Sequence, residues 1–242
     1  MDIAISFAII ALAGLIHASF QLSVSMLTLL SGHSLGKKTS HARVLRLSGG
    51  FIFGAFVSTL LIVSFLAYLC LILGGRTDDR VMWSVASGLM IGLGIATWVF
   101  YYRHQAGTSL WIPRGFAQFI VARTKSTRST GEAFSLGSVS IFAELLFIIA
   151  PALGAGLALA QLPVNYQLAG AIMYALVASL PLIVVYMMVG GGHKLSRIQR
   201  WRENNKRFLQ FAAGSALLIL GFFIYVNEVL AISVGVVGAL TL

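Results

Sequence analysis

The chain has 242 residues, of which 58% are hydrophobic and only 10% are charged. Soluble domains carry about 25% charged residues, and a mean hydropathy of +0.92 excludes an ordinary water-soluble globular domain. The net charge of +10 raises the question of nucleic acid, which the placement of the charges answers below, and the single cysteine, Cys70, excludes an intrachain disulfide.

Six stretches reach the length of about 20 apolar residues that a transmembrane helix needs. The first covers 3–30. It begins M-D-I-A without a basic leader and stays apolar to Leu30, so it reads as a retained span and not a cleaved signal. The second covers 48–73, the third 81–102, the fourth 134–160, the fifth 167–190 and the sixth 208–226. All are expected to be helices, because an open strand edge cannot be satisfied in hydrocarbon. None shows the alternation of a membrane barrel strand. The expected fold class is an all-α polytopic membrane protein.

The loops set the orientation. Loops 31–47, 103–133 and 191–207 hold fifteen of the 17 Lys and Arg residues. The loop between spans two and three balances Arg76 and Arg80 with Asp78 and Asp79, and residues 161–166 carry no charge. The basic loops therefore belong in the cytoplasm, with both termini outside, in a cytoplasmic (inner) membrane. The positive charge is a topology signal. No nucleic-acid partner is expected, whereas anionic lipid headgroups are. In the basic loop 103–133, Phe116, Phe119 and Ile120 share a face; a short interfacial helix and an ordered basic linker both fit. After Glu228 only 14 residues remain, about 21 Å as helix. The tail 229–242 reads as an apolar extension at the outer interface, with a seventh span as the alternative.

The pattern divides the chain into 1–102, the basic loop 103–133, and 134–228. Three matches relate the halves in order: S-V-S at 23–25 with S-V-S at 138–140, residues 47–63 with 168–184 at six of 17 identical positions, and A-S-G at 86–88 with A-A-G at 212–214. Three spans per half enter from opposite sides, so a duplication here is a 3+3 inverted repeat. Many secondary transporters have this arrangement, with the binding site at the midplane.

Ionisable groups inside spans cost about 2.5 to 3.5 kcal/mol on insertion scales and default to functional hypotheses. His17 lies in the middle of span one and Glu144 near the middle of span four. A Glu and a His at similar depth are the chemistry of a proton-coupled carrier; two structural groups hydrogen-bonded to neighbouring helices are the alternative. On a continuous helix His17, Gln21 and Ser25 form a stripe at i, i+4 and i+8. Ser140 lies one turn before Glu144. Pro151 and Pro181 each remove a backbone donor inside a span, which suits either a broken transport helix or a packed kink. Gly88 and Gly92 form a GxxxG pair expected at a close helix contact. His33, His41, His104 and His193 lie in or beside basic loops without metal-ligand spacing. No metal site and no cofactor is expected.

The stretch K-L-S-R-I-Q-R-W-R-E-N-N-K-R-F-L-Q-F-A-A-G-S-A-L-L-I-L-G at 194–221 and G-L-I-H-A-S-F-Q-L at 14–22 carry a resemblance. The chain resembles the LysE superfamily, in particular the six-helix CcdA and DsbD transmembrane domains of cytochrome c biogenesis. That resemblance implies N-out inverted-repeat architecture and, more loosely, export of small solutes or ions. Its thiol-carrying members pass electrons through a cysteine in the first helix of each repeat. Here the first and fourth spans have none and Cys70 stands in span two, so a two-thiol relay within the chain is impossible.

The expected function is a small transporter of an ion or small metabolite, with His17, Gln21, Ser25, Ser140, Glu144, Pro151 and Pro181 along its path. The alternative is a non-transporting scaffold or assembly factor that binds a partner or anionic lipid through its basic loops. An enzyme is not expected, since only Asp78 and Asp79 approach a carboxylate pair. Membrane lipids and a small solute or ion are the expected partners, and a homo-oligomer is compatible with this reading. The topology has a direct test in a Cys70→Ser background. Ser126→Cys should react with a membrane-impermeant maleimide only in opened membranes, and Asn165→Cys in intact cells; the reverse pattern inverts the assignment.

Overall fold

The structure, a computed structural model, describes residues 2–20, 22–36, 41–74, 79–101, 122–124, 126–191, 200–201 and 204–230. Among these residues every extended regular element is helical. The main helices are α1 (Ile3–Ser19), α2 (Leu22–Gly36), α3 (His41–Gly74), α4 (Asp79–Ala96), α5 (Thr130–Gln161), α6 (Val164–Gly190) and α7 (Lys206–Ile224). Both α4 and α7 run on into π-helical turns, Thr97–Tyr101 and Tyr225–Leu230. Most of loops 103–133 and 191–207, including the stretch with Phe116, Phe119 and Ile120, lies outside the described residues, as does the tail beyond Leu230.

Five helical segments are long and apolar enough to cross a bilayer: His41–Gly74, Arg80–Val99, Thr130–Gln161, Val164–Gly190 and Arg207–Leu230. The pair Ile3–Ser19 and Ser23–Ser31 makes a sixth candidate, bent by 52° at the break. By the length and composition of its helices this is a multi-pass membrane protein. Its outer surface agrees: Leu61, Phe65, Leu146 and Ile219 are each more than half exposed, which lipid accommodates and water does not. The single continuous span expected over 3–30 is instead two helices, and its polar stripe is broken with it.

Local signals explain the ends of the central helix. A capping box starts α5: the Glu132 N–H donates to the Ser129 hydroxyl at 3.2 Å, and Glu132 Oε2 accepts from the Ser129 N–H at 3.4 Å. The same oxygen accepts from the Arg128 N–H at 2.7 Å. At the other end the Leu162 N–H closes back on the Leu159 carbonyl, and Pro163 follows as the N-cap of α6. Its rigid φ and missing N–H suit that place. Pro151 and Pro181 sit inside α5 and α6 without interrupting either helix. The break in the first span contains no proline.

Of the apolar stretch of α5, 67% is buried, against 28–39% for the other four spans, so α5 is the axis of the bundle. It runs parallel to α3 along a seam of small residues: Gly50 faces Thr130, and Gly156 faces Leu66 and Ala67. Between them Gly54 abuts the Phe134 carbonyl and Gly137 the Phe51 carbonyl. The Ser138 hydroxyl donates to the Gly54 carbonyl at 3.2 Å across this seam. Small residues let backbones approach where lipid supplies no hydrophobic driving force. Helix α1 packs in parallel on α6, with Gly14 against Tyr174 and Val177 and Gly170 against Ile10. Helices α4 and α7 are antiparallel, Gly94 meeting Gly214 and Leu218 while Gly221 meets Met90 and Ile91. Gly88 and Gly92, expected at a close contact, face open space. The helix they belong to turns Gly94 to its partner instead.

A methyl group at Gly54 or Gly137 would overlap a facing backbone carbonyl, which cannot rotate away. Gly54→Ala and Gly137→Ala should each cost about 1 to 3 kcal/mol by overpacking. Gly88→Ala and Gly92→Ala should leave stability equal or slightly raised. Thermal unfolding of the four variants in detergent measures the contrast.

Candidate functional site

The break between α1 and α2 has its own hydrogen-bond logic. At the end of α1 the Ser19 hydroxyl donates to the Ile16 carbonyl at 2.6 Å, and the Phe20 N–H turns back to the His17 carbonyl at 3.1 Å. Three residues later α2 begins, and its first N–H groups have no acceptor within their own helix. Water could satisfy them at a surface. Here the Ser23 N–H donates to Glu144 Oε1 at 2.5 Å. Glu144 stands near the midpoint of α5 and is buried. A carboxylate is also the complement of a helix N-terminus, which carries about half a positive charge. The acid and the broken helix therefore answer one another.

The second polar pair lies beside it. His17, buried on the last turn of α1, is hydrogen-bonded through Nδ1 to the Tyr174 hydroxyl of α6 at 3.0 Å. The imidazole tautomer decides which of the two donates. The rings sit 5.7 Å apart, and Tyr174 is also buried. On the other side Phe20, at the break, stacks on Phe147 of α5 with centroids 5.7 Å apart and planes 18° from parallel.

These groups surround a small cavity of about 10 Å³, the space of roughly one water molecule. His17, Phe20, Ser23, Thr59, Glu144, Ser179 and Pro181 line it, with Val24, Ile141, Ala178 and Leu182 between them. Five helices, α1, α2, α3, α5 and α6, thus contribute to one point. It sits where two apolar clusters of the core meet. One holds Ile10, Met90 and Leu159, the other Leu27, Phe51 and Ile148, and Phe20 packs against both. No described Lys or Arg lines it, and Glu144 is its carboxylate.

The residues singled out from the sequence divide three ways. His17, Glu144 and Pro181 meet at the cavity. Gln21 lies outside the described residues. Ser25, Ser140 and Pro151 do not line it. Ser25 is half-buried on α2, beyond the 52° bend. The Ser140 hydroxyl is turned back to the Gly137 carbonyl at 2.6 Å. Pro151 is buried two turns further along α5. Depth alone pairs His17 with Glu144; the bonded neighbour of His17 is Tyr174, and the Glu144 carboxylate accepts from the Ser23 backbone. Tyr174, Thr59, Ser179 and Ser23 escaped the sequence reading. Tyr174 carried a usable signal, a phenol in mid-span. The three hydroxyl residues looked like ordinary small packing residues, and Ser23 acts through its backbone, which no side-chain pattern encodes. Among the described residues no group of three His, Cys, Asp or Glu could hold a metal ion.

No family model, curated protein or solved structure matches this chain. Tyr174→Phe leaves a buried imidazole nitrogen without its partner and should cost about 1 to 3 kcal/mol. Ser140→Ala removes only a bond within one turn and should cost under about 1 kcal/mol. Paired unfolding curves in detergent check the difference.

Proposed function

We propose that this protein is an integral-membrane transporter that moves an ion or small metabolite across the cytoplasmic membrane, with Glu144 and His17 at the centre of the path. One observation carries the reading. A buried carboxylate holds the N-terminus of a discontinuous helix, at a cavity where five helices converge. Broken helices at the midplane are how transporters present backbone groups to a substrate. An ionisable residue held there at a cost of a few kcal/mol is a functional group by default. The Ser23 N–H and the dipole of α2 offset that cost in the ionised form, so the carboxylate can cycle between charged and protonated states. Glu144 is in this reading the group that takes up and releases a proton, with His17 and Tyr174 as a neutral hydrogen-bonded pair beside it.

The reading includes a 3+3 inverted repeat in which α1 with α2, α3 and α4 correspond to α5, α6 and α7. The packing supports it by reciprocity. Helix α3 lies parallel to α5, as α1 lies parallel to α6, and α4 pairs with its own counterpart α7. Both α4 and α7 end in π-helical turns. The resemblance to the LysE superfamily points the same way, towards export of small solutes or ions. A cavity of one-water size fits an occluded state, and the bend between α1 and α2 is the natural place for it to open.

The test uses proteoliposomes loaded with a pH-sensitive dye and challenged singly with monovalent salts, amino acids and small carboxylates. Solute-driven proton movement above protein-free liposomes is expected. Glu144→Gln should lower it at least about tenfold with near-normal folded yield. Unchanged flux in Glu144→Gln removes the role of the acid. Absence of solute-driven flux in the wild-type protein favours the non-transporting scaffold.

A further inference from the structure

The cavity contains more than an acid. Thr59 of α3 and Ser179 of α6 line it and are 2% and 3% exposed. Neither hydroxyl has a hydrogen-bond partner among the described residues. Ser58, buried beside Thr59 but not at the cavity, shares this state. A serine or threonine in a helix normally returns its hydroxyl to a carbonyl three or four residues back, as Thr28, Ser87, Thr97 and Ser140 do. A buried hydroxyl without a partner costs free energy unless something else occupies its lone pairs. Thr59 and Ser179 both face the cavity that Glu144 lines, from two different helices.

We infer that this cavity is a monovalent-cation site, sized for Na⁺, in which the Glu144 carboxylate and the Thr59 and Ser179 hydroxyl oxygens are the ligands. This rests on the transporter reading and adds an inorganic ion bound at the same carboxylate. Three arguments converge. Oxygen donors of this kind suit a hard cation. The charge suits one positive unit: Glu144 supplies a single negative charge, and a divalent ion would leave one charge uncompensated in a low-dielectric interior. The size suits a dehydrated ion no larger than a water molecule, which excludes organic cations from this conformation. The Ser23 N–H takes one of the roughly four lone-pair sites of the carboxylate.

The titratable groups facing Glu144 are His17 from α1 and, behind His17, Tyr174 from α6. Ser23 from α2 and Thr59 from α3 add no charge, and α4 does not reach the cavity.

The experiment is thermal unfolding of the full-length protein in detergent, titrated with NaCl at constant ionic strength against KCl and N-methylglucamine chloride. A saturable rise in Tm specific to Na⁺ is expected. Thr59→Val and Ser179→Ala should each raise that midpoint about tenfold, a change of about 1.4 kcal/mol in binding, while Tm in Na⁺-free salt stays near wild type. Both variants delete an unpartnered hydroxyl, so both should fold. Glu144→Gln should abolish the Na⁺ effect. No Na⁺-specific rise, or an unchanged midpoint in both hydroxyl variants, overturns the site. Solute-driven proton flux that persists in Na⁺-free vesicles, with no Na⁺ effect on Tm, overturns the site and leaves the transporter reading standing. Na⁺ stabilisation lost in the hydroxyl variants supports the site even where no flux is found.

Discussion

The bond from the Ser23 N–H to Glu144 is the contact on which the centre of the molecule depends. In a membrane every backbone polar group has to be satisfied inside the protein. A helix that stops at Ser19 and restarts at Leu22 leaves donors at the depth where nothing in lipid can accept them. A carboxylate on the neighbouring helix solves this and is itself made tolerable by the solution. Beside it, the α1–α6 contact sets His17 against Tyr174, and Phe20 at the break stacks on Phe147.

The bundle that holds this contact is built on backbone proximity. Lipid tails are as apolar as leucine, so packing in the membrane rests on close van der Waals contact and on hydrogen bonds between helices. The seam of α3 and α5, with Gly54 and Gly137 pressed onto facing carbonyls, is the tightest of these. It places α5 on the axis and buries its midpoint. An acid placed there is shielded from lipid by α1, α2, α3 and α6. The α4 and α7 pair, with Trp98 stacked on Phe211, stands to one side and leaves the cavity to the others.

The physical reach of sequence reasoning shows in particular residues. Glu144 was legible because a lone charge in an apolar run is expensive and therefore meaningful. His17 was legible for the same reason. Thr59 and Ser179 were not, because a hydroxyl in a membrane helix is cheap when it bonds its own backbone, and only the structure shows that these two do not. Gly88 and Gly92 misled because spacing puts two glycines on one face without saying which face meets a neighbour. Pro151 and Pro181 left a broken helix and a packed kink equally open, and both lie inside continuous helices.

Composition and charge placement by themselves determined the solvent, the helical class and the approximate extent of five spans, because each depends only on local length and hydropathy. They also marked the two ionisable groups that the centre contains. The tertiary structure decided that the first span is broken, that Glu144 is held by a backbone donor and His17 by Tyr174, and that two silent hydroxyls join them. Those facts depend on which helix faces which, and at what depth. That is set by glycine seams and hydrogen bonds between residues more than a hundred positions apart, which no local pattern records.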